Sequence, residues 1–446
     1  MRIVVVGGGE IGFALAQVLS TQHAVVVVDH APDVADRFEP LDVQFILGAA
    51  TSADVLGRAG VREAAVLVAC TGLDEVNIVT CAMARQVAER LRTICFVSRH
   101  DFLDETEQGL QAFGIERVIW PEAQLAADIE RIIRTPDALD AESFADGAIR
   151  LIEYRLPQDS TFVGRRVAEL HMPRGSLIVA VRRGESLFIP RGVNELAAGD
   201  KAVIMGTPDA LEEVRRRLRG APDGARPRVT IIGGGDVGLQ LAERLESGDA
   251  VDLVVIERDA ARGEMIAGRL RRALVLNGDG TNLELLESED IGHSDVMVSV
   301  IDNDERNLLA SLLARQLGVR RVITRVSKPA NLRLFERVGI DVAISARGAA
   351  VASVLHQIQG GPTRLLAVVE QGAGRILELD VPAGYTPTAL RDLAAPLNSI
   401  VGAIIRKSTA LVPRGTDTIE PGDRLIVFTT HSAADRVRDY FTTFPH

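Results

Sequence analysis

Two glycine clusters stand where a short apolar segment gives way to a helical pattern. They are GGGEIG at residues 7–12 and GGGDVG at residues 233–238, and both have the spacing G-x-G-x-x-G. The first glycine of such a turn permits a tight bend, the second lets a pyrophosphate approach the backbone, and the third lets helix and strand pack closely. The free N–H groups and positive dipole end of the helix then face the anion. Each cluster therefore predicts a site for the diphosphate of a nucleotide.

A carboxylate follows each cluster at a distance that suits a ribose. Asp29 ends the second apolar segment, 22 residues after Gly7, and Glu257 ends the corresponding segment of the second half. A carboxylate there can accept the hydroxyl groups of an adenosine ribose. Both acids favour an unphosphorylated ribose, although Arg258 beside Glu257 leaves a 2′-phosphate open in the second half. Because this context occurs twice, it is more specific than an isolated glycine motif.

The clusters belong to a repeat that spans the chain. Segment 3–19 returns at 229–245, segment 66–86 at 296–316, and segment 189–205 at 412–428. The smaller segments recur in the same order as the larger ones, which makes chance similarity between two common folds a poor explanation. The chain therefore contains two copies of one repeat, each made of a nucleotide-type domain followed by a small domain.

The elements around the glycine clusters predict the fold class. Apolar, β-branched segments alternate with helical patterns in both nucleotide-type domains, as in a parallel sheet covered on both faces. The small domains show short strands, turns and a final amphipathic helix. We expect an α/β protein with two doubly wound parallel-sheet Rossmann domains, each followed by a small α+β domain. The expected bounds are 1–121, 140–221, 228–346 and 363–445.

Composition excludes several classes of protein. The 446 residues carry a formal net charge of -11, which argues against a main role in gripping nucleic acid. Three cysteines without a CxxC pair fit a reducing cytosol, and the eight histidines form no HxxxH or HxH pair that would suggest a metal site. No apolar segment approaches the ~20 residues that cross a bilayer, so no membrane span is expected.

Other positions near the expected strand ends are open to two interpretations. Thr71, Gly72 and Asp302 either contact the ligand or act as helix caps and turn residues. Gly278 and Asp279 follow the third strand of the second domain, at a sheet edge where a base can lie. Four charged residues are further candidates, namely the cations Arg99 and Arg325 and the acids Glu10 and Asp236.

These charged residues suggest which nucleotide would bind. A cation such as Arg325 in an otherwise apolar strand is explained by phosphate contact. Glu10 and Asp236 lie inside the glycine turns, where a carboxylate repels additional phosphate. This charge favours a dinucleotide or diphosphate over a tightly held triphosphate.

The small domains offer no catalytic set. An NAD-dependent oxidoreductase with duplicated Rossmann domains would need a substrate pocket and an acid–base residue, and about 80 residues leave little room for them. That enzyme remains the alternative, beside a structural adaptor with vestigial nucleotide sites. We expect a protein that is not an enzyme and whose nucleotide occupancy shifts a conformational equilibrium.

The chain resembles the RCK (KTN) domain family in its order of domains and in several motifs. These motifs are VVVGGGEIG with Asp29, the segments from Thr71 and Gly278, and the PRG…GD pattern of both small domains. Within it they resemble the cytosolic TrkA-type regulatory subunits of bacterial Trk potassium-uptake systems. The resemblance implies binding of NAD(H), with ATP and ADP as further candidates. It also implies a homo-oligomer in the form of a ring, such as a tetramer. This assembly would dock at the cytoplasmic face of the membrane on a potassium transporter of the TrkH or TrkG type.

The candidate cofactor contacts follow from the glycine motifs and from this resemblance. In the first half they are Gly7, Gly8, Gly9, Glu10, Ile11, Gly12, Asp29, Thr71, Gly72 and Arg99. In the second half they are Gly233, Gly234, Gly235, Asp236, Val237, Gly238, Glu257, Gly278, Asp279 and Arg325. Ala49 and Phe96 depart from the family pattern, in which Asp and Arg are frequent, so the second site is expected to be better preserved.

Overall fold

The chain folds into two compact units, each built from both halves of the sequence. The computed structural model describes residues 1–446 except 22, 99–109, 112, 136–137, 220–225, 248–250, 359–362, 371–372, 408 and 444–446. One unit joins Met1–Glu130 to Arg226–Val354, and the other joins Arg131–Ala225 to Leu355–His446. The two nucleotide-type domains therefore pack with each other, and so do the two small domains.

The first nucleotide-type domain is a six-stranded parallel sheet with helices between its strands. Its strands are β1 (Arg2–Val6), β2 (Ala24–Asp29), β3 (Val43–Leu47), β4 (Val66–Ala69), β5 (Arg92–Phe96) and β6 (Arg117–Ile119). Its α-helices are α1 (Glu10–Leu19), α2 (Ala53–Arg58), α3 (Asp74–Val87) and α4 (Pro121–Arg134), with 3₁₀ turns at Pro32–Phe38 and Val61–Glu63. The strand order 3-2-1-4-5-6 is that of a doubly wound Rossmann sheet, which confirms the predicted class.

The first small domain is an antiparallel sheet with one long helix. Its strands are β7 (Ala138–Phe144), β8 (Ile149–Arg155), β9 (Ser176–Arg183), β10 (Ser186–Phe188) and β11 (Lys201–Gly206), in the order 10-9-11-8-7. A 3₁₀ turn covers Val167–Glu169, and helix α5 (Pro208–Arg219) ends the domain. Helix α4 and strand β7 together occupy most of the interval between the first two domains expected from the sequence.

The second nucleotide-type domain repeats the first. Its parallel strands are β12 (Arg228–Ile232), β13 (Asp252–Glu257), β14 (Leu274–Asn277), β15 (Val296–Ser299), β16 (Arg321–Arg325) and β17 (Val342–Ile344), in the order 14-13-12-15-16-17. Its helices are α6 (Asp236–Ser247), α7 (Ala260–Arg269), α8 (Leu283–Ser288), α9 (Asp304–Gln316), α10 (Pro329–Arg337) and α11 (Ala346–Ile358), with a 3₁₀ turn at Ile291–His293. The order is again that of the doubly wound sheet.

The second small domain contains a five-stranded antiparallel sheet and a two-stranded one. Its strands are β18 (Thr363–Val369), β19 (Gly374–Asp380), β20 (Thr388–Ala389), β21 (Ser399–Arg406), β22 (Thr409–Leu411), β23 (Thr418–Ile419) and β24 (Arg424–Thr430). The larger sheet has the order 18-19-24-21-22, and β20 pairs with β23. The domain has 3₁₀ turns at Leu390–Asp392 and His431–Ala433, and it ends in helix α12 (Ala434–Thr443).

Buried strands explain why these elements form. The central strand β1 has the sequence RIVVV and is buried from Ile3 to Val6. Its β-branched residues favour the strand conformation, and its continuous apolar character is typical of a sheet covered on both faces.

The two small domains share one apolar core, which contains Val179 and Met205 of the first and Ile376 and Phe428 of the second. Among the described residues, no helix combines the length and apolar character that spanning a bilayer requires.

A buried ion pair also joins the two small domains. The Arg182 guanidinium of the first donates to the Glu370 carboxylate of the second, and the exposed fractions of these side chains are 13% and 1%. Lys201 lies 3.2 Å from Glu153 and 3.9 Å from Glu370. Buried carboxylates require such partners because desolvation is costly.

Candidate nucleotide-binding sites

The second glycine turn leads from β12 into α6 with the geometry that the sequence predicts for a phosphate-binding turn. Gly233 has φ +102°, in the left-handed region, and its N–H donates to the Ile256 carbonyl at 2.9 Å. A Cβ on Gly238 would lie 1.9 Å from the Gly233 carbonyl oxygen, so only glycine lets the helix approach the turn this closely. A Cβ on Gly235 would meet only an Arg262 nitrogen, at 3.9 Å. The backbone at Gly235 is therefore open for a ligand to approach.

Glu257 is fixed beside this turn by two backbone amides. One carboxylate oxygen accepts from the Gly234 N–H at 2.7 Å, and the other accepts from the Asp259 N–H at 2.8 Å. The residue is 9% exposed. Each oxygen keeps further acceptor capacity, so the carboxylate is held ready to accept ribose hydroxyls.

A cleft of about 400 Å³ surrounds the turn and the carboxyl ends of the strands. Its lining includes seven of the residues expected from the sequence: Gly233, Gly235, Asp236, Val237, Glu257, Gly278 and Arg325. Gly234 and Gly238 lie behind the lining, since an added Cβ would meet Ile266 at 2.3 Å and Gly233 at 1.9 Å. These two glycines shape the turn.

Asp279 supports the cleft from behind. Its carboxylate accepts from the Thr281 N–H at 2.9 Å, from the Thr281 hydroxyl at 2.7 Å and from the Arg306 guanidinium at 2.7 Å. The turn interpretation therefore fits Asp279, and its further effect is to position Arg306. Arg306 itself lines the cleft.

Four arginines line the cleft, and two of them, Arg258 and Arg325, are indicated by the sequence. The sequence motifs do not indicate Arg262 and Arg306, both of which lie in the first turn of a helix that follows a strand of the sheet. That position, directly after a strand end, was the available signal. Together the four guanidinium groups suit a ligand that carries several phosphate oxygens.

Arg325 has an unused donor at this site. Its Nη2 lies 3.0 Å from Asp302, which is 85% exposed, whereas the Arg325 side chain is 18% exposed. Its Nε is buried and makes no hydrogen bond within the described part of the chain. A buried donor without a partner is costly, so a phosphate oxygen is a suitable acceptor.

Glu122 enters this cleft from the first nucleotide-type domain, and no motif of the sequence indicates it. It is the second residue of α4, and one of its carboxylate oxygens is buried without a hydrogen-bond partner among the described residues. Burial raises the pKa of the Glu122 carboxyl, while a backbone hydrogen bond and the charge of Arg325 oppose the rise. The second site is thus lined by both halves of the chain.

Glu122 is expected to make ligand binding at the second site depend on pH. Its pKa is raised, so protonation removes a negative charge from the cleft as the pH falls toward that value, and affinity for an anion increases. We expect affinity for NAD⁺ to rise by up to about tenfold as the pH falls from about 8 through the raised pKa of Glu122. NAD⁺ suits a calorimetric titration because its diphosphate keeps its charge in this window. Glu122→Gln is the control and should flatten the profile, and an unchanged profile in that variant would assign the effect to another group.

The first glycine turn has the same backbone arrangement. Gly7 has φ +106°, and a Cβ on Gly12 would lie 1.7 Å from the Gly7 carbonyl oxygen. Asp29 accepts from the Gly8 N–H at 2.5 Å and from the Ala31 N–H at 2.8 Å. The two acids at the ends of the second strands therefore hold their turns in the same way.

The remaining first-half candidates have mixed placements. The Thr71 hydroxyl lies 2.7 Å from Asn77 Oδ1, which also accepts from the Thr71 N–H at 2.9 Å, so the Thr71 side chain serves the local structure. An added Cβ at Gly72 or at Gly9 would meet no atom within 4 Å. Ile11 is half-buried, and Arg99 lies outside the described residues.

Glu10 differs from its counterpart Asp236 because two arginines bind it. Arg37 donates to Oε1 of Glu10 at 2.7 Å, and Arg347 donates to Oε2. Arg347 comes from the second nucleotide-type domain, where it is the second residue of α11. The repulsion expected from a free carboxylate in the first turn is therefore offset.

Both family models that match the chain do so twice. The TrkA-N domain model matches residues 3–121 and 229–346, and the TrkA-C domain model matches residues 151–219 and 382–442. These four matches alternate along the chain in the order of its internal repeat.

Relatives of similar length match the chain throughout. The Trk system potassium uptake protein TrkA homolog 1 of Methanosarcina mazei is 36% identical over 449 residues, which cover 99% of this chain and 100% of the relative. TrkA of Halomonas elongata is 30% identical, with coverage of 98% and 97%. The solved structure of the GsuK channel bound to NAD is 20% identical with a TM-score of 0.60, over 99% of this chain and 79% of that one, and it shows the shared fold. On these matches, the chain belongs to the TrkA family of Trk system potassium uptake proteins.

Proposed function

We propose that this chain is the regulatory subunit of a potassium-uptake system and that its Rossmann domains bind adenine nucleotides. The ligand would be NAD(H) or, alternatively, ATP and ADP. Occupancy would change the arrangement of the domains, and the change would be passed to a membrane potassium transporter of the TrkH or TrkG type. Family membership supports the link to potassium uptake.

One observation carries the conformational part of the proposal. The second cleft is lined by its own domain and by Glu122 of the other nucleotide-type domain. A ligand in this cleft contacts both domains, so its affinity depends on how they are arranged. A ligand shifts an equilibrium only as far as it binds one state better than another, and a site shared between two domains provides that difference.

The chemistry of the cleft supports a nucleotide. The open space at the Gly235 backbone, the fixed carboxylate of Glu257 and the free Nε of Arg325 match a diphosphate next to a ribose. A solved structure with a similar fold is that of the GsuK channel bound to NAD, which makes NAD⁺ and NADH the first ligands to test. The acid Glu257 favours an unphosphorylated ribose, as in NAD.

We further propose that the bound nucleotide is not a substrate. Among the described residues that line the second cleft, the candidate bases are carboxylates such as Glu122, and histidine, cysteine, serine, tyrosine and lysine are absent. This composition supports a binding function over the alternative of an oxidoreductase.

The assembly would be a homo-oligomer, with a tetramer as the first expectation. It would lie at the inner face of the membrane because it binds its transporter there.

The test is potassium uptake in a transporter-competent strain that lacks its own regulatory subunit. The unaltered chain should restore uptake, whereas the double variant Gly9→Asp with Gly235→Asp should lower it to about the level of the strain without a subunit. Gly268→Asp is a matched control, because this glycine is in α7 and an added Cβ there meets no atom within 4 Å. Full uptake by the folded double variant would refute nucleotide control.

A further inference from the structure

None of the four arginines that line the second cleft has an arginine at the equivalent position of the first half. When the two halves are aligned by the repeat, Asp29 corresponds to Glu257 and Asp74 corresponds to Asp304. The strand pairing in the two sheets makes Cys95 correspond to Thr324. By this register, the positions of Arg258, Arg262, Arg306 and Arg325 are taken in the first half by His30, Val34, Val76 and Phe96. A phosphate at the first glycine turn therefore needs a different source of positive charge.

Two other arginines reach the first turn. Arg37 and Arg347 each bind one oxygen of the Glu10 carboxylate, at the first residue of α1. The three side chains together carry a net charge of about +1, because one carboxylate faces two guanidinium groups. This group lies where the helix presents its free N–H groups to an anion.

Arg347 is supplied by the second nucleotide-type domain. It is the second residue of α11, the same place that Glu122 has in α4, and Glu122 lines the second cleft. Its side chain is 21% exposed, and burial lowers the pKa of its guanidinium while Glu10 opposes that shift. A partly desolvated cation that shares its carboxylate with another arginine favours a further anion.

We propose that Arg347 is a phosphate-binding residue of the first site and directs that site toward nucleotides with a terminal phosphate, such as ADP and ATP. The inference rests on the proposed nucleotide binding. NAD carries about two negative charges on a diphosphate that is esterified at both ends, whereas ADP and ATP carry about three and four with a free terminal group. The cationic group at Glu10 discriminates in favour of the larger charge.

The experiment isolates the first site with Gly235→Asp, a position where a side chain fits without displacing backbone. Calorimetry on this background uses AMP, ADP, ATP and NAD⁺. Arg347→Ala should lower the affinity for ADP and ATP by about tenfold or more, as expected for a lost charge-assisted hydrogen bond. It should lower the affinity for NAD⁺ by about threefold or less. Arg347→Lys should retain most of the affinity because it keeps the charge.

A matched control separates phosphate binding from general packing. Arg244 and Glu130 form another ion pair between the same two domains, 3.4 Å apart and outside both glycine turns. Arg244→Ala should change each affinity by less than about twofold. An equal loss in Arg244→Ala, no loss in Arg347→Ala, or a uniform loss across the four ligands would overturn the proposal.

A second background distinguishes direct contact from neutralisation of Glu10. In chains that carry Glu10→Gln, Arg347→Ala should still lower the affinity for ADP and ATP if the guanidinium contacts the phosphate. If this loss of affinity disappeared, direct contact would be overturned. If the Gly235→Asp chain bound no nucleotide while the unaltered chain did, this inference would fail and the proposed function would stand. If the unaltered chain bound none, both would fail.

Discussion

Gly235→Asp is expected to lower the affinity of the second site for NAD⁺ and ADP by at least about 100-fold, or about 2.7 kcal/mol. The position has room for a side chain in the free protein, because an added Cβ meets only an Arg262 nitrogen at 3.9 Å. The new carboxylate would occupy the approach to the backbone amides and would repel the phosphate. The loss should therefore appear in binding and not in folding.

Calorimetry on the single variants measures this effect, and thermal unfolding checks that the fold is kept. Gly235→Ala adds only a methyl group and should give an intermediate loss, since it blocks close approach without adding charge. Gly268→Asp makes the same chemical change on α7 and should bind as the unaltered chain does. Undiminished affinity in Gly235→Asp together with Gly9→Asp would place the ligand away from the glycine turns.

Local features of the sequence were sufficient to predict the Rossmann domains. The buried strands, the glycine turn and the acid at the end of the second strand lie within about 30 residues of one another, and their geometry depends mainly on local backbone requirements. The hydrogen bonds from Gly8 to Asp29 and from Gly234 to Glu257 each form within one such segment of about 30 residues. Which of the expected contacts bind a nucleotide remains a prediction.

The contacts between the halves could not be predicted in the same way. Glu122 and Arg347 belong to helices that follow the sixth strands, and nothing in their local sequence indicates a neighbouring domain. Their roles depend on how the two nucleotide-type domains pack, which is a long-range property of the fold. The repeat nevertheless contains a signal, because one position carries Glu in the first half and Arg in the second.

This difference gives the two halves distinct electrostatics at otherwise equivalent turns. The second cleft has four arginines of its own domain and receives a carboxylate with a raised pKa from the first domain. The first turn has an acid already bound by two arginines, one of them from the second domain. Sites that differ in this way can respond to different nucleotides, so both should be studied separately.

Gly238→Ala is expected to destabilise the second nucleotide-type domain by about 3 kcal/mol, at the upper end of the usual cost of overpacking. The added Cβ would lie 1.9 Å from the Gly233 carbonyl oxygen and 3.0 Å from the Gly233 carbonyl carbon. Both atoms are backbone, so no side-chain rotation relieves the contact, and α6 must move away from the turn. Scanning calorimetry and amide hydrogen exchange in Arg228–Ile232 measure the loss.

Gly268→Ala provides the matched comparison, because it is also a helical glycine of this domain but has open space around it. Alanine loses less backbone entropy on folding than glycine, so this change should stabilise the domain by about 0.5–1 kcal/mol. The opposite signs follow from one physical difference, namely the distance between the new methyl group and fixed backbone. Equal effects in the two variants would mean that the third glycine is not required for close packing of helix and turn.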